Sequence, residues 1–141
     1  PVTLAPSLLG YIAVRHRNHL GAMSAAPLNL STTNVALNFR AGATACYGVT
    51  PRRTVGTVRT LWAGNVFIDG TLRYTGANND RDPILVAIGG SPPTATISGY
   101  LQTDVNLDGT VKYAGSRNDR DVILISVGGN APTATRPEGL P

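Results

Sequence analysis

Oxygen-bearing side chains stand at alternate positions at the start of the stretch DVNLDGTVKYAGSRNDRD, residues 104 to 121: Asp104, Asn106 and Asp108, followed at once by Gly109. A hard cation such as calcium takes about six to eight oxygens at roughly 2.3–2.6 Å, and a ligand at every second residue lets a loop wrap its side chains around one point. Gly109 tolerates the sharp turn that brings the next carbonyl, on Thr110, to face the same point. The spacing is the D-x-[DN]-x-[DN]-G opening of a calcium loop. Asn118, directly or through a water, with Asp119 and Asp121, would close the shell.

In an EF-hand loop the closing acid is the twelfth residue, three places after a water-bridging one. Asn118 and Asp121 keep that three-residue separation here, but only after six extra residues, Lys112 to Arg117. Asp121 also opens an apolar run, Val122-Ile123-Leu124-Ile125, ended by Gly128-Gly129. That pattern predicts a short helix with a glycine C-cap.

The unit occurs twice. NVFIDGTLRYTGANNDRDPILVAIGGSPPTAT, residues 65 to 96, aligns without a gap on residues 104 to 135, pairing Asp69 with Asp108, 39 positions apart, and Gly89-Gly90 with Gly128-Gly129. An internal repeat this close means two copies of one supersecondary unit, each too small to bury its own apolar face, packed on each other. The first copy places Asn65, Asp69, Thr71, Asn79, Asp80 and Asp82 at the equivalent positions. Asp and Asn also favour turns for hydrogen-bonding reasons alone, but the same spacing in two copies favours an ion, so two calcium sites are expected.

A paired calcium loop and helix without an entering helix resembles a dockerin module. The longer pattern Y-x-G-x-x-N-D-R-D, followed by an apolar run and Gly-Gly, is similar to repeats at the ends of large secreted surface proteins of environmental Gram-negative bacteria. The resemblance covers about residues 62 to 136. It implies Asp104, Asn106, Asp108 and Asp121 as ligands in the second copy, and Asn65, Asp69 and Asp82 in the first. The first copy departs from the pattern, because Phe67 replaces the second oxygen ligand and Asn65 the first acid. Fewer anionic ligands mean weaker calcium binding. The resemblance also implies a secreted protein of the cell surface.

These loops need a scaffold, and 141 residues with 42% apolar and 14% charged residues describe a folded chain of one domain or two small ones. Tyr11 to Arg17 and Asn34 to Phe39 alternate apolar and polar residues, a third strand is expected at Val55 to Trp62, and weaker strands are expected at Leu20 to Met23 and Ala43 to Tyr47. Residues 1 to 64 therefore read as an antiparallel β-sandwich short of strands, and residues 65 to 141 as the two loop-helix repeats; the class is mainly β with a small α part. The segment YIAVRHRNHL, residues 11 to 20, looks like the late strands of the sandwich that precedes such repeats in those surface proteins. The chain begins at Pro1 without methionine or signal sequence, as a mature or trimmed piece would.

Residues 1 to 64 carry six arginines and no acid, whereas residues 65 to 141 carry all eight acids against six bases. The arginines are scattered and a single lysine exists, without interleaved aromatics, so nucleic acid is not the expected partner. No apolar run approaches a membrane span. Cys46, the sole cysteine, reads as a small core residue. His16 and His19 lack a third metal ligand nearby in sequence and read as packing residues. Asn29-Leu30-Ser31 is an acceptor sequon for N-glycosylation.

No nucleophile with a base, paired catalytic carboxylates outside the loops, or phosphate-binding loop is present, which points away from an enzyme. The expectation is a non-enzymatic extracellular structural protein, a calcium-stabilised subunit or module of a surface or filamentous assembly. The extended segment at residues 1 to 9 would add to a neighbour's open sheet edge, with Val2 and Leu4 as apolar plugs. Partners would be copies of the chain, another surface protein, or glycans. The alternative is a dockerin-like recognition module or adhesin domain.

Overall fold

The chain forms short segments of regular structure separated by glycine-rich turns. The computed structural model describes residues 8–31 and 35–141. In chain order these are β1 (Leu9–Gly10), β2 (Ala13–His16), β3 (His19–Met23), β4 (Leu28–Asn29), β5 (Arg53–Val55), β6 (Val58–Thr60), β7 (Thr71–Arg73), α1 (Asp82–Ala87), β8 (Thr96–Ser98), β9 (Thr110–Lys112), α2 (Asp119–Val127) and β10 (Thr135–Pro137). The class is mainly β with two short helices, standing where the two apolar runs predict them. In α2 the C-cap is the glycine pair, with Gly128 and Gly129 both donating to Leu124 O.

The expected β-sandwich is not what the described residues form. Every sheet has two antiparallel strands, β1 with β4, β2 with β3, β5 with β6, β7 with β10 and β8 with β9. The strand expected over Val55 to Trp62 is instead part of the hairpin β5–β6. The chain reverses at Gly56-Thr57, where Gly56 adopts φ 56°, the positive value that favours glycine in a two-residue hairpin turn. Residues 35–38 are not strand, and Ala43 to Tyr47 contributes only the isolated bridge of Cys46 to Ser24. Alternation in this half does not mark a buried face, since Val14 is 37% exposed and Val35, Leu37 and Phe39 are only half-buried.

The core lies in the repeats. Its buried members are four pairs of equivalent residues, Val66 and Val105, Leu72 and Val111, Ile84 and Ile123, Ile88 and Val127, joined from outside the repeats by Leu20 of β3. The two copies are interlocked. The strand that follows the first copy, β8, pairs with β9 of the second, and β10, following the second, pairs with β7 of the first. The registers are equivalent: Ile97 faces Val111 as Arg136 faces Leu72, each number differing by 39 between the copies. Likewise α1 packs on β9 and α2 on β7. Each copy thus completes the other about a pseudo-twofold relation, as expected for units too small to bury their own faces.

The β2–β3 hairpin is stitched to this block. Leu20 N donates to Trp62 O at 2.8 Å, and Asn18 Nδ2, fully buried, donates to Gln102 O at 2.8 Å and Asp104 O at 2.7 Å. No helix among the described residues is long and apolar enough to cross a membrane.

Because each helix packs on the other copy's strand, Ile84→Ala and Ile123→Ala should each cost about 2–5 kcal/mol, the usual range for emptying a buried isoleucine. Both substitutions should lower the stability of the two repeats together, in a single denaturant transition seen alike by Trp62 fluorescence and by circular dichroism. Two separate transitions would show that the copies fold independently.

Candidate functional site

The two loops superimpose in their backbone signs. Ile68, Gly70, Gly76 and Asn78 of the first have φ of 57°, 73°, 90° and 55°, and Leu107, Gly109, Gly115 and Arg117 of the second have 63°, 82°, 89° and 56°. A β-branched residue at positive φ is strained, so Ile68 holds that conformation only because its surroundings impose it.

What imposes it is a fully buried carboxylate. Asp119 accepts hydrogen bonds from the backbone N–H of Val105 at 2.6 Å, Asn106 at 3.0 Å and Lys112 at 2.7 Å. Asp80, equally buried, accepts from Phe67 at 2.9 Å and Arg73 at 2.8 Å. Each carboxylate therefore ties the start of its loop to the strand that follows. Burial pushes the Asp80 carboxyl up to about 6, with the N–H bonds from Phe67 and Arg73 pulling the other way; burial raises Asp119 too.

Asp121 and Asn118 are placed elsewhere than the calcium-loop spacing implies. Asn118 is the N-cap of α2: its Oδ1 accepts from Asp121 N at 2.9 Å, and its Nδ2 donates to Gly115 O at 2.6 Å and Asp121 Oδ2 at 2.8 Å. Asn79 and Asp82 repeat this reciprocal bonding at the start of α1, at 3.0 Å and 2.8 Å. Arg81 and Arg120 pair with the exposed carboxylates of Asp82 and Asp121, each at 3.3 Å. Asn118 thus caps α2, whereas the N-cap position of α1 is Arg81, which makes no side-chain cap bond, and the acid bonded to the opening of each loop is Asp80 or Asp119.

The opening half of the second loop does converge. Asp104, almost fully buried, accepts from Asp108 N and Gly109 N, both at 3.1 Å; Asn106 Oδ1 accepts from Asp108 N at 2.9 Å, and Asp108 Oδ1 from Thr110 N at 3.0 Å. A carboxylate has about four lone-pair sites, so these bonds leave oxygen capacity on each side chain. Two carboxylates and an amide oxygen are the kind of donor a hard cation takes, with water for the remainder. Two guanidinium groups stand beside them: Arg17 lies 3.5 Å from Asp104 and Arg117 3.6 Å from Asp108. Among the described residues no three His, Cys, Asp or Glu side chains are grouped to hold a metal.

The first loop offers less. Asp69 is held by Arg73, its Oδ1 accepting from Thr71 N at 2.9 Å, and Phe67 has no oxygen to give. Asn65 is 5% exposed, and its buried Oδ1 has no hydrogen-bond partner. An acceptor in that state costs roughly 1–3 kcal/mol, which a bound water or cation would relieve.

Arg17, Asn18 and Gln102 were not legible as partners of the loops. Arg17 reaches Leu101 O at 3.0 Å and Gln102 reaches Val66 O at 2.9 Å. His16 Nδ1 and His19 Nδ1 lie 3.0 Å apart and share Asn18 Oδ1, and burial lowers the His19 pKa to about 4. Asn29 is exposed at the end of β4, its Oδ1 accepting from Ser31 N at 3.0 Å. Val2 and Leu4 lie outside the described residues. No family model, curated protein or solved structure matches the chain.

Asp119→Ala should strand three backbone donors in the interior and cost about 3 kcal/mol or more, whereas Asp121→Ala should cost about 1 kcal/mol, the value of a helix-capping contact. Denaturant melts of both variants in chelator measure the difference. Equal losses would mean that the buried carboxylate does not organise the loop.

Proposed function

We propose that this chain is a non-enzymatic, extracellular structural module, in which the two dockerin-like repeats form a rigid block and residues 1 to 64 provide contacts to neighbouring copies or another surface protein. The observation that supports the reading is the reciprocal exchange of β8 and β10 between the repeats in equivalent registers, beside which the buried loop aspartates are engaged by backbone N–H groups. The carboxylates and amides best suited to chemistry are already engaged with backbone groups or helix caps, which supports a mechanical rather than a catalytic use.

Calcium is the proposed ligand of the second loop, held by Asp104, Asn106, Asp108 and the Thr110 carbonyl. It would displace Arg17 and Arg117 from the carboxylates and replace their charge with its own. In the first loop the Asn65 and Asp69 side chains and the Thr71 carbonyl are the corresponding oxygens, with a weaker site as the consequence. An ion that binds only the folded state adds RT ln(1 + [L]/Kd) to stability, so calcium would act as a staple in a chain without disulfides.

Titration calorimetry should show calcium uptake at or below millimolar concentration, with Asp108→Ala removing one binding event and Asp121→Ala leaving it in place. Absence of uptake by the unmodified protein would remove the metal from this reading, and loss of binding in Asp121→Ala would return that residue to the ligand set.

A further inference from the structure

An open cleft of about 800 Å³ lies between residues 42–62 and the C-terminal end of α2, lined among others by Arg52, Arg53, Arg59, Arg136, Thr50 and Trp62. No carboxylate lines it, and every acid of the chain lies at or beyond Asp69, so none of the undescribed residues can supply one.

The four arginines divide by what they already do. Arg52 donates to the carbonyls of Phe39, Ala41 and Thr44, and its Nε is buried without a partner. Arg136 donates to Ser126 O at 2.9 Å and Thr50 Oγ1 at 2.8 Å, and its guanidinium covers the Trp62 ring at 3.6 Å. These two build the floor. Arg53 on β5 and Arg59 on β6 make no side-chain hydrogen bond or ion pair with any described residue, although ion pairs fix arginines elsewhere in the molecule. Four cations sharing one cleft repel one another, and that cost is offset when an anion enters.

We propose that this cleft binds an acidic polysaccharide, with Arg53 and Arg59 taking its carboxylate or sulfate groups over the floor formed by Arg52, Arg136 and Trp62. Guanidinium groups match such planar or multi-oxygen anions with paired N–H donors. The volume is that of a ligand of several rings rather than one inorganic ion. A single-stranded nucleic acid is disfavoured by the same residues, because binding of that kind stacks bases on aromatic faces. Trp62 is the cleft's one aromatic side chain, and Arg136 already lies over it.

The test uses the full chain in chelator, so that failure of the metal site does not affect it. Heparin, polygalacturonate, neutral dextran and single-stranded oligothymidylate are titrated in low salt, following Trp62 fluorescence and heat. Binding of both acidic polysaccharides but not dextran is expected, weakening as salt rises. Arg53→Ala and Arg59→Ala should each weaken it by about tenfold, with unchanged melting because neither side chain holds the fold. The proposal is overturned if neither acidic polysaccharide binds, if the double variant binds them as well as the parent, or if oligothymidylate binds more tightly than both.

Discussion

Each loop runs through four residues at positive φ, and in each repeat a buried aspartate receives backbone N–H groups from the start of the loop and from the strand that follows it. Buried donors without acceptors cost more than an ordinary hydrogen bond returns, so the carboxylate is the condition for the loop to exist in this form. Once Asp80 and Asp119 are fixed, the rest of each unit follows. The loop start is tied to the short strand, the strand presents Leu72 or Val111 to the interior, and the helix that begins beside the carboxylate lays Ile84 or Ile123 on the other copy.

Reciprocity follows from size. A six- or nine-residue helix and a three-residue strand cannot enclose an apolar core by themselves. Two copies can, provided each lends the other its trailing strand. The N-terminal hairpin then closes the assembly with Leu20 and with the Asn18 bonds to the carbonyls of Gln102 and Asp104, which seat it against the second loop rather than the first. That asymmetry coincides with the asymmetry of the loops themselves, where Asp104 of the second copy stands opposite Asn65 of the first.

Local chemistry was legible in the sequence, and long-range pairing was not. The repeat, the two helices, the glycine cap of α2, and the turn-forming role of Asp104, Asn106 and Asp108 all follow from neighbouring residues. The division of labour between Asp119 and Asp121 was masked because both acids sit two residues apart in N-D-R-D, and only the helix start decides which faces inward. The strand exchange was hidden by the repeat itself: equivalent residues occupy β7 and β9, so the pattern fits pairing within a copy as well as between copies. In the N-terminal half, period-two alternation suggested a sandwich, but alternation marks a buried face only where a second layer covers it. Val14 remains exposed, and Val35, Leu37 and Phe39 are only half-buried.

Residue-resolved amide hydrogen exchange in chelator shows whether one buried carboxylate per repeat holds an interlocked pair. The amides of Phe67 and Arg73, and those of Val105, Asn106 and Lys112, should exchange only through global unfolding, with one common free energy in both copies. Exchange of either set at a clearly lower free energy, leaving the other set protected, would contradict the account.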